Sequence, residues 1–64
     1  MRMMEITDTS DIRHYINPRF VVNICKGGLN TVIHTIASTY PHGITSGLSI
    51  MEVMSEWTHA MHED

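Results

Sequence analysis

Phe20-Val21-Val22-Asn23-Ile24-Cys25 and Thr31-Val32-Ile33-His34-Thr35-Ile36-Ala37, separated by Lys26-Gly27-Gly28-Leu29-Asn30, are the stretch that decides the fold. Both flanks are rich in the β-branched and aromatic residues that suit a pleated surface. The glycine pair between them can take the positive φ that a tight hairpin turn demands. Strict alternation puts Phe20, Val22 and Ile24 on one face, and sets Val32, His34 and Ile36 opposite Ile33 and the threonines. Val21, Cys25 and Ile33 then make the second face apolar as well. A small sheet covered by one helix should be polar outside, so the pattern predicts a further cover, and a second copy of the chain is the economical one.

Working outward, residues 3–7 contain Ile6 and suit a first, edge strand. Asp8-Thr9-Ser10-Asp11 is a turn, because short polar side chains hydrogen-bond their own backbone there. Residues 12–16 resume an extended pattern as far as Asn17-Pro18, which marks a bend, bulge or strand start, since proline lacks an N–H and constrains its predecessor. On the other side, residues 38–47 hold Pro41, Gly43 and Gly47 and make a loop with a short strand around Ile44. Ser49-Ile50-Met51-Glu52 is a capping box, and Leu48 and Val53 stand at the positions of a hydrophobic staple. A helix follows from about Ile50 to about His62, roughly 20 Å at 1.5 Å per residue. Ile50, Val53, Met54, Trp57, Ala60 and Met61 form its apolar stripe, with Glu52, Ser55, Glu56, His59 and Glu63 on the opposite, solvated face. The expected architecture is α+β: one domain over residues 1–64, with a small antiparallel sheet of three or four strands packed by one C-terminal amphipathic helix.

The chain has 64 residues, a net charge of −3 and one cysteine. A lone core below about 70–80 residues rarely supplies more than roughly 3–5 kcal/mol without disulfides, a metal or a partner. Cys25 closes no internal disulfide and no Cys/His set has zinc-finger spacing, which leaves self-association. Hydrophobic residues at 42% and charged residues at 17% exclude an intrinsically disordered chain. No apolar run approaches a membrane span, and Glu5 and Asp8 interrupt any signal-like start. The expectation is a cytoplasmic protein, with no membrane partner. All four basic residues, Arg2, Arg13, Arg19 and Lys26, fall in the first 26 positions, whose net charge is +1; residues 27–64 carry −4. An acidic chain with so few cations argues against general nucleic-acid binding.

Tyr15-Ile16-Asn17-Pro18-Arg19-Phe20-Val21-Val22-Asn23-Ile24, followed by Thr31-Val32-Ile33 and the capped helix, resembles the small flagellar FlbD-like proteins and similar short bacterial and phage proteins. The resemblance spans about 45 residues and centres on Ile16-Asn17-Pro18. It implies the fold outline, an absence of catalytic residues, and a regulator acting through protein or nucleic-acid partners. Residues 38–47 depart from the family, which carries a further strand there with a Lys-Glu-Ser ending.

Chemistry-bearing residues are few. Glu56, His59, His62 and Glu63 share helical spacing, but carboxylate-bridged metal sites draw on several helices, so these read as a solvated helix end and no metal or cofactor is expected. Cys25 closes an apolar strand and is structural, because a reactive thiolate needs an electropositive, accessible setting. His34 reads as a strand residue at an interface. No nucleophile elbow, P-loop or dinucleotide fingerprint is present. What remains is an anion site: Arg13, His14 and Tyr15 before the bend, Arg19 after it, Lys26, Gly27 and Gly28 at the hairpin tip, and His42 in the following loop. Guanidinium grips phosphate bidentately and an aromatic ring stacks a base. The functional expectation is a non-catalytic, homo-oligomeric binding protein of the phage or mobile-element type, which occupies or sequesters a host protein or a small phosphorylated signalling nucleotide. A FlbD-like regulator is the alternative, and a metal-dependent enzyme with a subunit-shared site is third.

Overall fold

The computed structural model describes residues 1–36 and 40–63; Ala37, the expected end of the second hairpin strand, lies outside them, as do Ser38 and Thr39 of the loop. Strands β1 (Met4–Thr7) and β2 (Arg13–Ile16) pair antiparallel, with Met4 opposite Ile16 and Thr7 opposite Arg13. A 3₁₀ turn, Pro18–Phe20, leads into β3 (Val21–Gly27), β4 (Asn30–Thr35) and β5 (Ile44–Ser46), an antiparallel sheet in the order β3-β4-β5. Helix α1 (Ile50–His62) closes the chain. The architecture is α+β, as the pattern predicts, with five strands among the described residues, divided between two small sheets.

The sheets meet along a seam. Asp8 bridges Ser46 in antiparallel fashion, and the Thr9 N–H donates to the Thr45 carbonyl at 3.0 Å. The Ser46 hydroxyl donates to the Thr7 carbonyl at 2.9 Å and accepts from the Leu48 N–H at 3.2 Å. Ser46 is fully buried, and these bonds are what make its burial tolerable. Thr31, also buried, donates its hydroxyl to the Leu48 carbonyl at 2.8 Å. The turn into the helix is thus tied to both sheets.

At the β3–β4 hairpin the turn chemistry holds. Gly27 pairs with Asn30, Gly28 has φ +66°, and Leu29 at the tip is wholly exposed. Alternation along β3 does not hold. Val21 lies opposite Thr35 but Asn23 lies opposite His34, so Val22 is the extra residue of a bulge. A bulge resets which face each later side chain takes. Val21 and Ile24 therefore both pack on the core with Ile33, while Val22 turns outward at 63% exposure. The expected face of Phe20, Val22 and Ile24 is replaced by one of Val21 and Ile24.

The core is Met4, Ile6, Ile16, Ile33, Ile44, Val53 and Ala60, flanked by Val21, Ile24, Leu48 and Trp57. It lies beneath α1, which begins where the capping box places it. Ser49 Oγ accepts from the Glu52 N–H at 3.2 Å and donates to the Glu52 carboxylate at 3.1 Å. The bend at Asn17-Pro18 is the 3₁₀ turn, capped by Asn17 Oδ1, which accepts from the Arg19 N–H at 3.0 Å. It presents the Pro18 carbonyl to the indole N–H of Trp57 at 2.8 Å. Met54, expected in the buried stripe, is 49% exposed, because only Val53 and Ala60 sit at the centre of the contact.

Glu56 corrects the expectation of a solvated helix face. Its carboxylate takes a bidentate pair of bonds from Arg2, at 2.7 and 2.9 Å, and a third from the Glu5 N–H at 2.9 Å. Arg2 Nε reaches Glu63 at 2.7 Å, and the Arg2 N–H donates to the Ala60 carbonyl at 3.0 Å. The segment ahead of β1 is thereby clamped along α1, which sequence spacing on the helix alone does not reveal. Arg2 holds the Glu56 carboxyl below the usual carboxylate range, and its own guanidinium pKa is raised in return.

Ile33 is fully buried at the crossing of β4 and the core, so Ile33→Ala is expected to cost about 2–5 kcal/mol, a loss that urea unfolding would register as collapse of the folded baseline. Because the folded-state pKa of Glu56 is depressed, its contribution is complete above the ordinary carboxyl value of about 4.3 and disappears as pH falls through the lower folded value. Glu56→Gln should flatten that part of the acid limb in melts between pH 2 and 7 and lower Tm at neutral pH by about 4–8 °C or less, the pair being partly exposed. An unchanged acid limb would show that the clamp contributes nothing.

Candidate functional site

Strand alternation and one turn of 3₁₀ helix place the candidate site. β2 carries Arg13, His14 and Tyr15 in succession, so Arg13 and Tyr15 point to the outer side and His14 toward the sheet interior with Ile16. The 3₁₀ turn brings Phe20 back beside them, and its carbonyl, accepting from the Ile36 N–H at 2.9 Å, ties the turn to the end of β4. Tyr40 arrives from the segment before β5. Together with Asn17 and Thr35 these side chains line a groove of about 450 Å³ floored by Ile16 and Ile44. The phenol of Tyr15, chiefly, pushes the Arg13 guanidinium pKa up, with Glu5 and Asp11 adding to it. The groove therefore offers a permanent cation among three aromatic rings.

Asp8 anchors the inner wall. Its Oδ1 accepts from the N–H groups of Ser10 and Ile12 at 2.8 and 3.0 Å, an Asx-type turn that holds Asp11 at φ +67°. Its Oδ2 lies 2.7 Å from His14 Nε2. The His14 contact, with the Ile12 and Ser10 N–H groups behind it, holds the Asp8 carboxyl below its ordinary range. An ionised carboxylate only accepts hydrogen bonds, so the proton of this pair sits on Nε2. The Tyr40 ring meets the imidazole edge-on, with centroids 5.2 Å apart at 85°.

Of the sequence-derived candidates, Arg13, His14 and Tyr15 line this groove and Arg19, Lys26, Gly27, Gly28 and His42 do not. Arg19 is exposed in the 3₁₀ turn and does not line the groove, although Asn17 and Phe20 at the ends of that turn do. The groove touches the hairpin at Thr35, whereas Lys26, Gly27 and Gly28 lie at its other end, about 17 Å along five residues of strand. Nearness in sequence on either side of a hairpin turn does not bring a tip to the base of its strands. His42 is exposed in the turn before Gly43. The single anion cluster expected from the sequence thus reduces to Arg13 and its aromatic neighbours. On α1, Glu56 and Glu63 are taken up by Arg2, and among the described residues no three His, Cys, Asp or Glu side chains converge to hold a metal. His34 faces Gly43 across the sheet, its Nδ1 buried without a partner among the described residues.

Sequence reasoning missed Asp8, Asn17, Phe20 and Tyr40 as site residues. A signal existed for Asp8: a hairpin pairing Thr7 with Arg13 places position 8 within side-chain reach of position 14. Tyr40 gave no such signal, since its approach depends on how the chain returns to β5. In comparisons with known proteins, no family model, no curated protein and no solved structure matches this chain.

Gly43 controls that return. It has φ +82°, and a Cβ there would stand 2.8 Å from Val32 Cγ1, 3.0 Å from the Ile33 carbonyl and 3.1 Å from His34 Cδ2. Gly43→Ala is expected to cost about 1–3 kcal/mol and to weaken the Tyr40–His14 ring contact, seen as loss of ring-to-ring NOEs. Gly47→Ala, where no atom lies within 4 Å of the added carbon, is the control that should leave both intact.

Proposed function

We propose that this chain is a non-catalytic binding protein that takes up a small phosphorylated ligand bearing a planar ring and holds it without converting it. The observation that carries this reading is the groove that sets Arg13 among Tyr15, Phe20 and Tyr40. A guanidinium supplies fixed, directional donors for a phosphate. Aromatic walls supply stacking surface for a base, which contributes affinity without demanding a particular base. The volume, about 450 Å³, is within the range of pockets that enclose small ligands.

Self-association belongs to the same reading. Phe20, Val22 and Ile36 are 45%, 63% and 64% exposed, and the Ile36–Phe20 backbone bond gathers them at one end of the β3–β4 hairpin. A second copy laid over that end removes apolar surface from water and deepens the groove, which Phe20 lines. Sequestration follows from the stoichiometry: one ligand withdrawn for each groove.

Native mass spectrometry of the purified protein tests both parts, with a multimer carrying an unmodified small ligand as the expected result. Arg13→Ala should weaken capture by about tenfold or more, the scale of one charge-assisted hydrogen-bond pair; Lys26→Ala should leave it unchanged. Recovery of a chemically altered ligand, or equal capture by the Arg13 variant, would overturn the reading.

A further inference from the structure

The Asp8–His14 pair gives the groove a polarity that Arg13 does not. His14 borders two spaces, the ligand groove and a smaller hollow of about 100 Å³ that also contains Asp8, Ser10 and Thr45. Nε2 is committed to Asp8 Oδ2 at 2.7 Å, and Asp8 is itself fixed by the Ser10 and Ile12 N–H groups. The ring cannot turn over without breaking that bond, and Tyr40 packs edge-on against it. Nδ1 is thus left as a bare lone pair. The imidazole lines the groove with about 10% of its side chain exposed.

We propose that His14 Nδ1 is a hydrogen-bond acceptor that selects ligands whose planar ring carries an N–H donor on its edge, such as the exocyclic amine of an aminopurine nucleotide. This rests on the binding function proposed above and specifies its ligand class. The division of labour follows from chemistry: Arg13 offers donors only and takes the phosphate, while His14, in the tautomer that Asp8 holds, offers an acceptor and takes the base edge. The groups facing the imidazole are Asp8 from the end of β1, Tyr40 from the segment before β5, and Arg13 and Tyr15 beside it on β2; Ile6, opposite it on β1, is apolar. Asp8 is the group among them that dictates which nitrogen holds the proton. A carboxylate second partner fixing an imidazole tautomer is a recurrent device wherever a histidine must present one defined nitrogen.

Asp8→Asn tests this with little structural change. The amide oxygen still accepts from Ser10 and Ile12, while its NH₂ now faces Nε2 and requires a lone pair there, so the proton moves to Nδ1 and the acceptor becomes a donor. Nitrogen-15 NMR of the imidazole at neutral pH should show Nε2–H in the wild type and Nδ1–H in Asp8→Asn. Calorimetric titration would use adenosine 5′-monophosphate and its analogue lacking the 6-amino group, purine riboside 5′-monophosphate. The wild type should prefer the amino compound by about tenfold, the scale of one hydrogen bond, and Asp8→Asn should lose or reverse that preference. A wild-type imidazole protonated on Nδ1, or equal binding of the two nucleotides, overturns the assignment and leaves the binding function standing. Failure of either nucleotide to bind overturns the nucleotide reading itself, and this inference with it.

Discussion

The seam at Ser46 is the constraint on which the rest of the molecule depends. A two-stranded hairpin such as β1–β2 is marginal in water by itself, and β5 is only three residues long. Joined through the Asp8–Ser46 bridge and the Ser46 hydroxyl bond to Thr7, the two small sheets contribute to one hydrophobic core. A serine suits this position because it must donate to one backbone group and accept from another while fully buried. Alanine there would leave the Thr7 carbonyl and the Leu48 N–H without their partner, and a buried unsatisfied group costs about 1–3 kcal/mol.

One thirteen-residue helix then has to cover both sheets. It does so with a narrow contact, Val53 and Ala60 at the centre and Trp57 reaching the Pro18 carbonyl at its edge. The Arg2 clamp on Glu56 and Glu63 secures the opposite border. These polar attachments matter in a chain whose core is seven residues, because hydrophobic burial alone leaves little margin at this size. The site inherits its geometry from the same devices. The turn that ends at the seam orients Asp8, Asp8 orients His14, and the 3₁₀ turn that meets Trp57 also positions Phe20.

Much of the fold was legible in residue types. Gly28 at a positive φ, the Ser49–Glu52 cap, the helix over Ile50–His62 and the short strand at Ile44 all follow from local chemistry. The bulge at Val22 was not legible, since an inserted residue leaves no mark on a run of β-formers and shows only when β4 is laid beside β3. Glu56 was misassigned for a related reason: its partner Arg2 is 54 residues away. Of the site, the run Arg13-His14-Tyr15 could be picked out as chemistry-bearing, but not its neighbours Asp8, Phe20 and Tyr40. Lys26 was grouped with it through closeness in sequence, which a hairpin converts into distance.

The sequence by itself determined the elements of this protein, because periodicity, capping and turn preference act over a few residues and are written locally. It also marked the run Arg13-His14-Tyr15 as chemistry-bearing. Only the tertiary structure decided which of them meet. Register, bulge and seam are properties of pairs of segments, and a shift of one residue in β3 or one different φ at Gly43 would send the same side chains to other faces. The groove at Arg13 and His14 exists because long-range hydrogen bonds select one such arrangement, and no local preference contains that choice.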